Sequence, residues 1–143
     1  MHKVFFNGSF DILNVGHVRA IKHAQSLGKL YLGVNSDELM AWFKREPIMP
    51  FVQRAEILRA MLREGDMLIE THEPAAINYL KMYACDVYML TEEWKTAQKP
   101  ALDYIESIGG QVIYSPRYPD IMDCTTIRQR VFDTVTREQS GAK

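Results

Sequence analysis

Short apolar runs alternate along this chain with stretches whose apolar residues recur every three or four positions. Val4-Phe5-Phe6 reads as a strand, and Val18, Ile21 and Leu27 then fall on one helical face, with Gly28 as a terminator. Leu30 to Val34 reads as a second buried strand, followed by a short helix from Asp37 to Phe43. Pro47 and Pro50 bracket a loop. Phe51 to Leu62 then has helical periodicity, with Ile57, Leu58, Met61 and Leu62 expected to face inward. Met67–Glu70, Val87–Leu90 and Val112–Tyr114 read as three more strands, separated by helices near Pro74–Tyr83 and Pro100–Ile108. A last helix is expected to begin at Thr125 or Thr126 and to carry Ile127, Val131 and Val135.

Strands alternating with helices imply a parallel sheet covered on both faces. The expectation is therefore an α/β protein, one Rossmann-like domain over residues 1–143 with a five-stranded parallel sheet, its polar tail after Thr136 frayed. In such sheets ligands bind beyond the carboxyl ends of the strands, where connections diverge to opposite faces. The loops to inspect are Asn7–His17, Asn35–Phe51, Thr91–Lys95 and Ser115–Thr126.

Composition narrows the function. Hydrophobic residues make up 47% and charged residues 24% of the chain, the balance of a soluble globular protein. A net charge of -1 gives no broad cationic surface for nucleic acid or an anionic membrane, so neither is an expected partner. No run is long and apolar enough to span a bilayer, and Met1-His2-Lys3 leads into a strand without a signal-peptide pattern. Cys85 and Cys124 form no CxxC pair, which fits a reducing cytoplasm and gives no zinc site.

The first loop carries the sharpest chemistry. Asn7-Gly8-Ser9-Phe10-Asp11-Ile12-Leu13-Asn14-Val15-Gly16-His17 follows a strand and opens a helix, whose unpaired N–H groups suit a triphosphate. Gly8 and Gly16 permit close backbone approach, and His17 in the first turn can donate to a phosphoryl oxygen. Neither GxGxxG nor GxxxxGK[ST] is present.

Gly8 to His17 resembles the G-[TSV]-F-D-x-x-H-x-G-H signature of the cytidylyltransferase-like nucleotidyltransferases. Cys124-Thr125-Thr126-Ile127-Arg128 resembles that family's S-T-T-x-[IL] helix start, and Arg117 precedes it where the family often has arginine. Gly33-Val34-Asn35-Ser36-Asp37, Lys44 and Arg54 are similar to its sugar-phosphate branch. The resemblance spans Val4 to Val131 and implies a reaction. The phosphate of an acceptor attacks the α-phosphorus of a nucleoside triphosphate, with Mg²⁺ as cofactor, and pyrophosphate leaves. Carried over by position, His17, Asn14 and Lys44 are the catalytic candidates. Gly8, Ser9, Phe10 and Gly16 would hold the triphosphate, and Arg63, Arg117, Thr125 and Thr126 would clamp the nucleotide. Glu92 and Trp94 fall where the family recognises ribose and base. Asp11 and Lys44 are candidates for the phosphorylated acceptor, a sugar or polyol phosphate. Small members of the family are usually dimers, so a homodimer is expected.

Three departures bear on this reading. Asn14 replaces the first histidine of HxGH, where related adenylyltransferases place threonine; Asn can donate a hydrogen bond but carries no charge. Thr91 stands where glycine is usual, so its Cβ crowds the nucleotide side and leaves CMP and AMP transfer both open. Ile77 falls where glycerol-3-phosphate cytidylyltransferases place a lysine. The runs Glu70–Pro74 and Gly109–Val112 resemble instead the heptose-phosphate adenylyltransferases. Plainer readings stand beside these: Asp11 as a turn cap, Lys44, Arg63 and Arg128 as solvated charges, Thr125 as a helix cap and Cys124 as a packing residue. An alternative function is a nucleotide-binding relative without turnover, acting as a regulatory or assembly subunit.

Overall fold

A computed structural model describes residues 1–141. The strands are β1 (Lys3–Gly8), β2 (Lys29–Asn35), β3 (Met67–Thr71), β4 (Val87–Leu90) and β5 (Gln111–Tyr114). They pair in parallel in the order β3-β2-β1-β4-β5. The helices are α1 (Val15–Leu27), α2 (Asp37–Trp42), α3 (Phe51–Arg59), α4 (Ala76–Met82), α5 (Lys99–Ser107) and α6 (Cys124–Gln139).

Strand side chains alternate between faces, and the two faces fill two separate cores. Val4, Phe6, Leu30, Leu32, Val34, Val87 and Met89 point to one side, against Ala20, Ile21 and Ala24 of α1 and Leu58 of α3. Phe5, Tyr31, Tyr88 and Leu90 point to the other, against Tyr79 and Leu80 of α4 and Ala101 and Ile105 of α5. The unbroken apolar runs Val4-Phe5-Phe6 and Val87–Leu90 follow from cover on both sides. Each such side chain contributes about 1.5–3 kcal/mol when taken fully out of water. Gly28 ends α1 where a Cβ would collide with the His2 carbonyl, so only glycine lets β2 start beside β1.

The five expected strands are present with their ends moved by at most two residues, and helices cover both faces as the pattern implied. Three local expectations change. The helix expected over Phe51–Leu62 ends at Arg59 and tightens into i→i−3 bonds through Leu62. Its buried residues are Arg54, Ala55 and Leu58, while Ile57 is exposed. α6 begins at Cys124, capped by Asp123 rather than Thr125, and continues through Gln139, past the point where the polar composition implied fraying. Of that expected tail, residues 142 and 143 lie outside the described residues.

Candidate active site

The sheet order places the divergence of connections at β1 and β4: from β1 the chain moves outward through β2 and β3, then returns to β4. A cavity of about 360 Å³ opens beyond their carboxyl ends. That volume is in the range of a small-molecule site. Five segments contribute to its wall: the first loop, α2 with the loop after it, the loop after β3, the turn after β4 and the start of α6.

The first loop is held by its own aromatic. Phe10 sits at φ 52°, in the left-handed region that non-glycine residues avoid. Its buried ring packs edge-on against Phe6 and His17, with centroids 5.8 and 5.4 Å apart. A Cβ at Gly8 would approach that ring to 3.3 Å, so the small residue leaves it room. Ser9 lines the cavity, and its hydroxyl accepts from Asn35 Nδ2 at 3.0 Å, which leaves the Ser9 proton free to donate inward. Asn35 is fixed in turn by Thr71, whose hydroxyl donates to Asn35 Oδ1 at 2.8 Å.

α1 opens on a reciprocal cap. Asn14 Oδ1 accepts from the Gly16 N–H at 2.9 Å, and His17 Nδ1 accepts from the Asn14 N–H at 3.2 Å. A backbone N–H can only donate, so Nδ1 is unprotonated and the neutral imidazole carries its proton on Nε2. Burial lowers the His17 pKa below its ordinary value. The group facing the cavity is therefore a neutral N–H donor. Gly16 sits behind this wall, where a Cβ would meet the Ile121 side chain at 2.8 Å.

Two carboxylates and two arginines sew the loops together. The buried Asp11 carboxylate accepts from the Ile48 N–H at 2.9 Å and the Met49 N–H at 2.8 Å. It also accepts from the Arg128 guanidinium of α6 at 3.2 Å. Arg54 is fully buried and donates to the Ser9, Asn35 and Met49 carbonyls at 2.6, 2.9 and 2.9 Å. Its last nitrogen meets Asp37 at 2.7 Å, and Asp37 also takes the first N–H of α3. A buried cation is tolerated because each of its three nitrogens has a partner and one partner is a carboxylate.

Of the residues singled out from sequence, Gly8, Ser9, Phe10, Asp11, His17, Trp94 and Thr125 line the cavity. Asp11 does so with its carboxylate already engaged, so it organises loops and has little left for an acceptor. Asn14 does not line the cavity: its amide oxygen caps the helix, and its amide nitrogen bonds the lining residues Ile12 and Cys124 from behind. Arg63 is at the opposite end of the sheet, where its guanidinium binds Asp66 and the Gly28 carbonyl ahead of β3 and β2. Lys44 occupies a left-handed turn at φ 60° that leaves it exposed, and the neighbouring Arg45 lines the cavity instead. The 3-10 turn at Glu92–Trp94 likewise presents Glu93 rather than Glu92. Arg117 is exposed on the loop before α6, and Thr126 uses its N–H on the Asp123 cap. Sequence reasoning missed Arg45 and Phe43, whose ring packs edge-on against Trp94 at 5.8 Å. No local pattern separates Arg45 from Lys44, since one backbone torsion decides which enters. No cluster of three or more His, Cys, Asp or Glu suited to a metal ion occurs among the described residues.

The cytidylyltransferase-like family profile matches residues 5–130. The bifunctional protein HldE of Syntrophotalea carbinolica is 32% identical over 136 residues, 91% of this chain and 27% of that protein. The FAD synthase of Pyrococcus abyssi is 34% identical over 112 residues, 77% of this chain and 76% of that protein. The chain thus spans about a quarter of the HldE relative and three quarters of the FAD synthase. In fold it is similar to a lipopolysaccharide core biosynthesis protein from Thermoplasma volcanium, with TM-score 0.68 and 24% identity over 82% of this chain and 98% of that one. The cavity at the divergence of the sheet, walled by the Gly8–His17 loop and the Cys124–Arg128 helix start, thus lies within a matched region that covers most of the sequence: the chain belongs to the cytidylyltransferase-like family.

Proposed function

We propose that this chain transfers a nucleotidyl group from a nucleoside triphosphate to a phosphorylated small acceptor and releases pyrophosphate. The observation that carries this reading is the convergence of the Ser9 hydroxyl, the His17 Nε2–H and the Thr125 helix start on one cavity, from segments over 100 residues apart. An acceptor phosphate oxygen forms the new bond to the α-phosphorus while the bond to pyrophosphate breaks, and the electron pair leaves with pyrophosphate. The protein's contribution is placement and charge stabilisation. His17 donates to a phosphoryl oxygen, Ser9 and the first turn of α6 hold further oxygens, and Arg45 and Arg128 offset negative charge. The aromatic pair Phe43 and Trp94 shelves the base. Mg²⁺ bound to the triphosphate would supply charge neutralisation; phosphate oxygens and water would be its main ligands, since no group of three or more His, Cys, Asp or Glu suited to a metal ion occurs among the described residues.

We infer ATP ahead of CTP, because a relative spanned over most of its length is an FAD synthase and the Glu70–Pro74 run resembles heptose-phosphate adenylyltransferases. The acceptor is a sugar or polyol phosphate, and the site of action is the cytoplasm. The test crosses ATP and CTP with sugar phosphates, glycerol 3-phosphate and FMN and reads pyrophosphate. Release is expected with ATP and one acceptor and not with ATP alone. Nucleotide binding with no release from any pair would favour the non-catalytic alternative.

A homodimer is part of the proposal. α6 has no buried residue, and Val131, Phe132 and Val135 are 56%, 65% and 44% exposed on it. A second copy would cover this strip. Sedimentation at micromolar concentration is expected to give twice the chain mass, and Phe132→Glu to halve it. A monomeric wild type would end this part of the reading.

A further inference from the structure

Two positions at which the sequence leaves the family's pattern touch each other. Asn14 stands for the first histidine of the HxGH pattern, Cys124 stands for the serine before Thr-Thr, and they are 110 residues apart. Asn14 Nδ2 donates to Cys124 Sγ at 3.3 Å and to the Ile12 carbonyl at 3.0 Å. The thiol reaches the same carbonyl at 3.5 Å, and its sulfur lies 3.6 Å from His17 Nε2. His17 Nδ1 already accepts from the backbone of Asn14. One ring nitrogen is thus held by the main chain of Asn14, and the other faces a sulfur that the Asn14 side chain holds in place.

We propose that Cys124 is a positioning residue for His17, coupled to Asn14, and that its sulfur is the resting acceptor of the Nε2–H until a phosphate oxygen replaces it. A thiol sulfur is a weak acceptor, whereas a charged phosphate oxygen accepts about twice as strongly as a neutral group. The imidazole is therefore aimed without being trapped. Burial pushes the Cys124 thiol up, so it stays neutral and does not become a competing anion. Both described partners of the ring nitrogens are neutral, and the charged groups lining the cavity are Asp11, Arg45, Glu73, Glu93 and Arg128. The amide of Asn14 caps the helix with its oxygen and fixes the sulfur with its nitrogen. An imidazole at position 14 cannot do both in the same place, so the two departures form one exchange.

The kinetic arm rests on the nucleotidyl-transfer reading, and the spectroscopic arm does not. Asn14→His and Cys124→Ser, alone and together, are compared with wild type by kcat, nucleotide KM and the ¹⁵N resonance of His17 Nε2 without ligand. Each single variant is expected to lose about tenfold in kcat with KM little changed. The double variant is expected within about threefold of wild type, a non-additivity in the range of contacting residues. The Nε2 resonance should move in both single variants and return toward the wild-type position in the double. Should Asn14→His fold poorly, Asn14→Ser keeps a neutral capping oxygen and removes the amide donor. It should displace the Nε2 resonance when Cys124 is present and leave it unmoved beside Cys124→Ala. Additive losses, or an Nε2 resonance indifferent to position 124, would overturn the proposal. If wild type releases no pyrophosphate, the functional reading fails and the resonance alone decides the coupling.

Discussion

His17→Ala is expected to lower kcat roughly 10²-fold, about 2.7 kcal/mol at 25 °C, the range for losing one preorganised donor at a developing charge. Folding should suffer less, by about 1 kcal/mol, because the variant loses one half of a reciprocal helix cap and an edge contact with Phe10. The same imidazole sets a pH signature. Its donor is the neutral Nε2–H, so kcat should stay level as pH falls past the ordinary histidine value of about 6.5. It should decline only as pH falls through the lower value that burial gives His17 in the folded protein. Protonation would put a second N–H on Nδ1, facing the Asn14 N–H, and break the cap. The sign for stability follows from the lowered pKa: the unfolded chain takes up the proton first. This contribution is present above the unfolded value and is lost as pH falls through the folded one. Denaturant titrations of wild type and His17→Ala at pH 7.5 and 5 measure it, and the variant should lose less stability on acidification. Normal turnover in His17→Ala would remove the histidine from the mechanism.

Arg54→Met should destabilise the protein by about 3–5 kcal/mol, the cost of breaking a buried, fully paired charge, out of a total of about 5–15 kcal/mol. Three carbonyls, on the first loop, at the end of β2 and before α3, would lose their shared donor. Lysine should not rescue it, since one ammonium cannot reproduce a planar fork aimed at four acceptors. Nucleotide affinity should fall with stability, because the Ser9 and Met49 carbonyls belong to the loops that wall the cavity. Urea midpoints and nucleotide titration check both; a loss under 1 kcal/mol would mean that the loops are held otherwise.

Arg54 also marks what the sequence could and could not say. Its place in a pattern was visible, but its complete burial was not, because its acceptors come from segments up to 45 residues away. The strands were legible since each is a short apolar run bounded by polar turns, and cover on both faces erases any polar alternation. The first loop was legible since Gly8, Phe10 and His17 form one local unit. Arg63 was misplaced because its role was carried over by resemblance: it follows α3 and precedes β3, an element order that already puts it at the amino ends of the strands. Ile57 was misassigned for a related reason: the inward face of α3 includes the charged Arg54, which a count of apolar residues rotates away.

The pairing of β1 with β4 has a consequence for assembly. Val4 sits beside Val87, so the central strand, early in the chain, keeps one unpaired edge until more than 80 further residues have been made. At a synthesis rate of about 5–20 residues per second that edge is open for roughly 4–16 s, a window in which it can template unwanted strand pairing. The cavity lies at this seam, so no partly made chain offers a ligand a finished place to bind. A nucleotide would therefore stabilise only the closed sheet, by mass action, and leave the nascent, vulnerable forms unprotected.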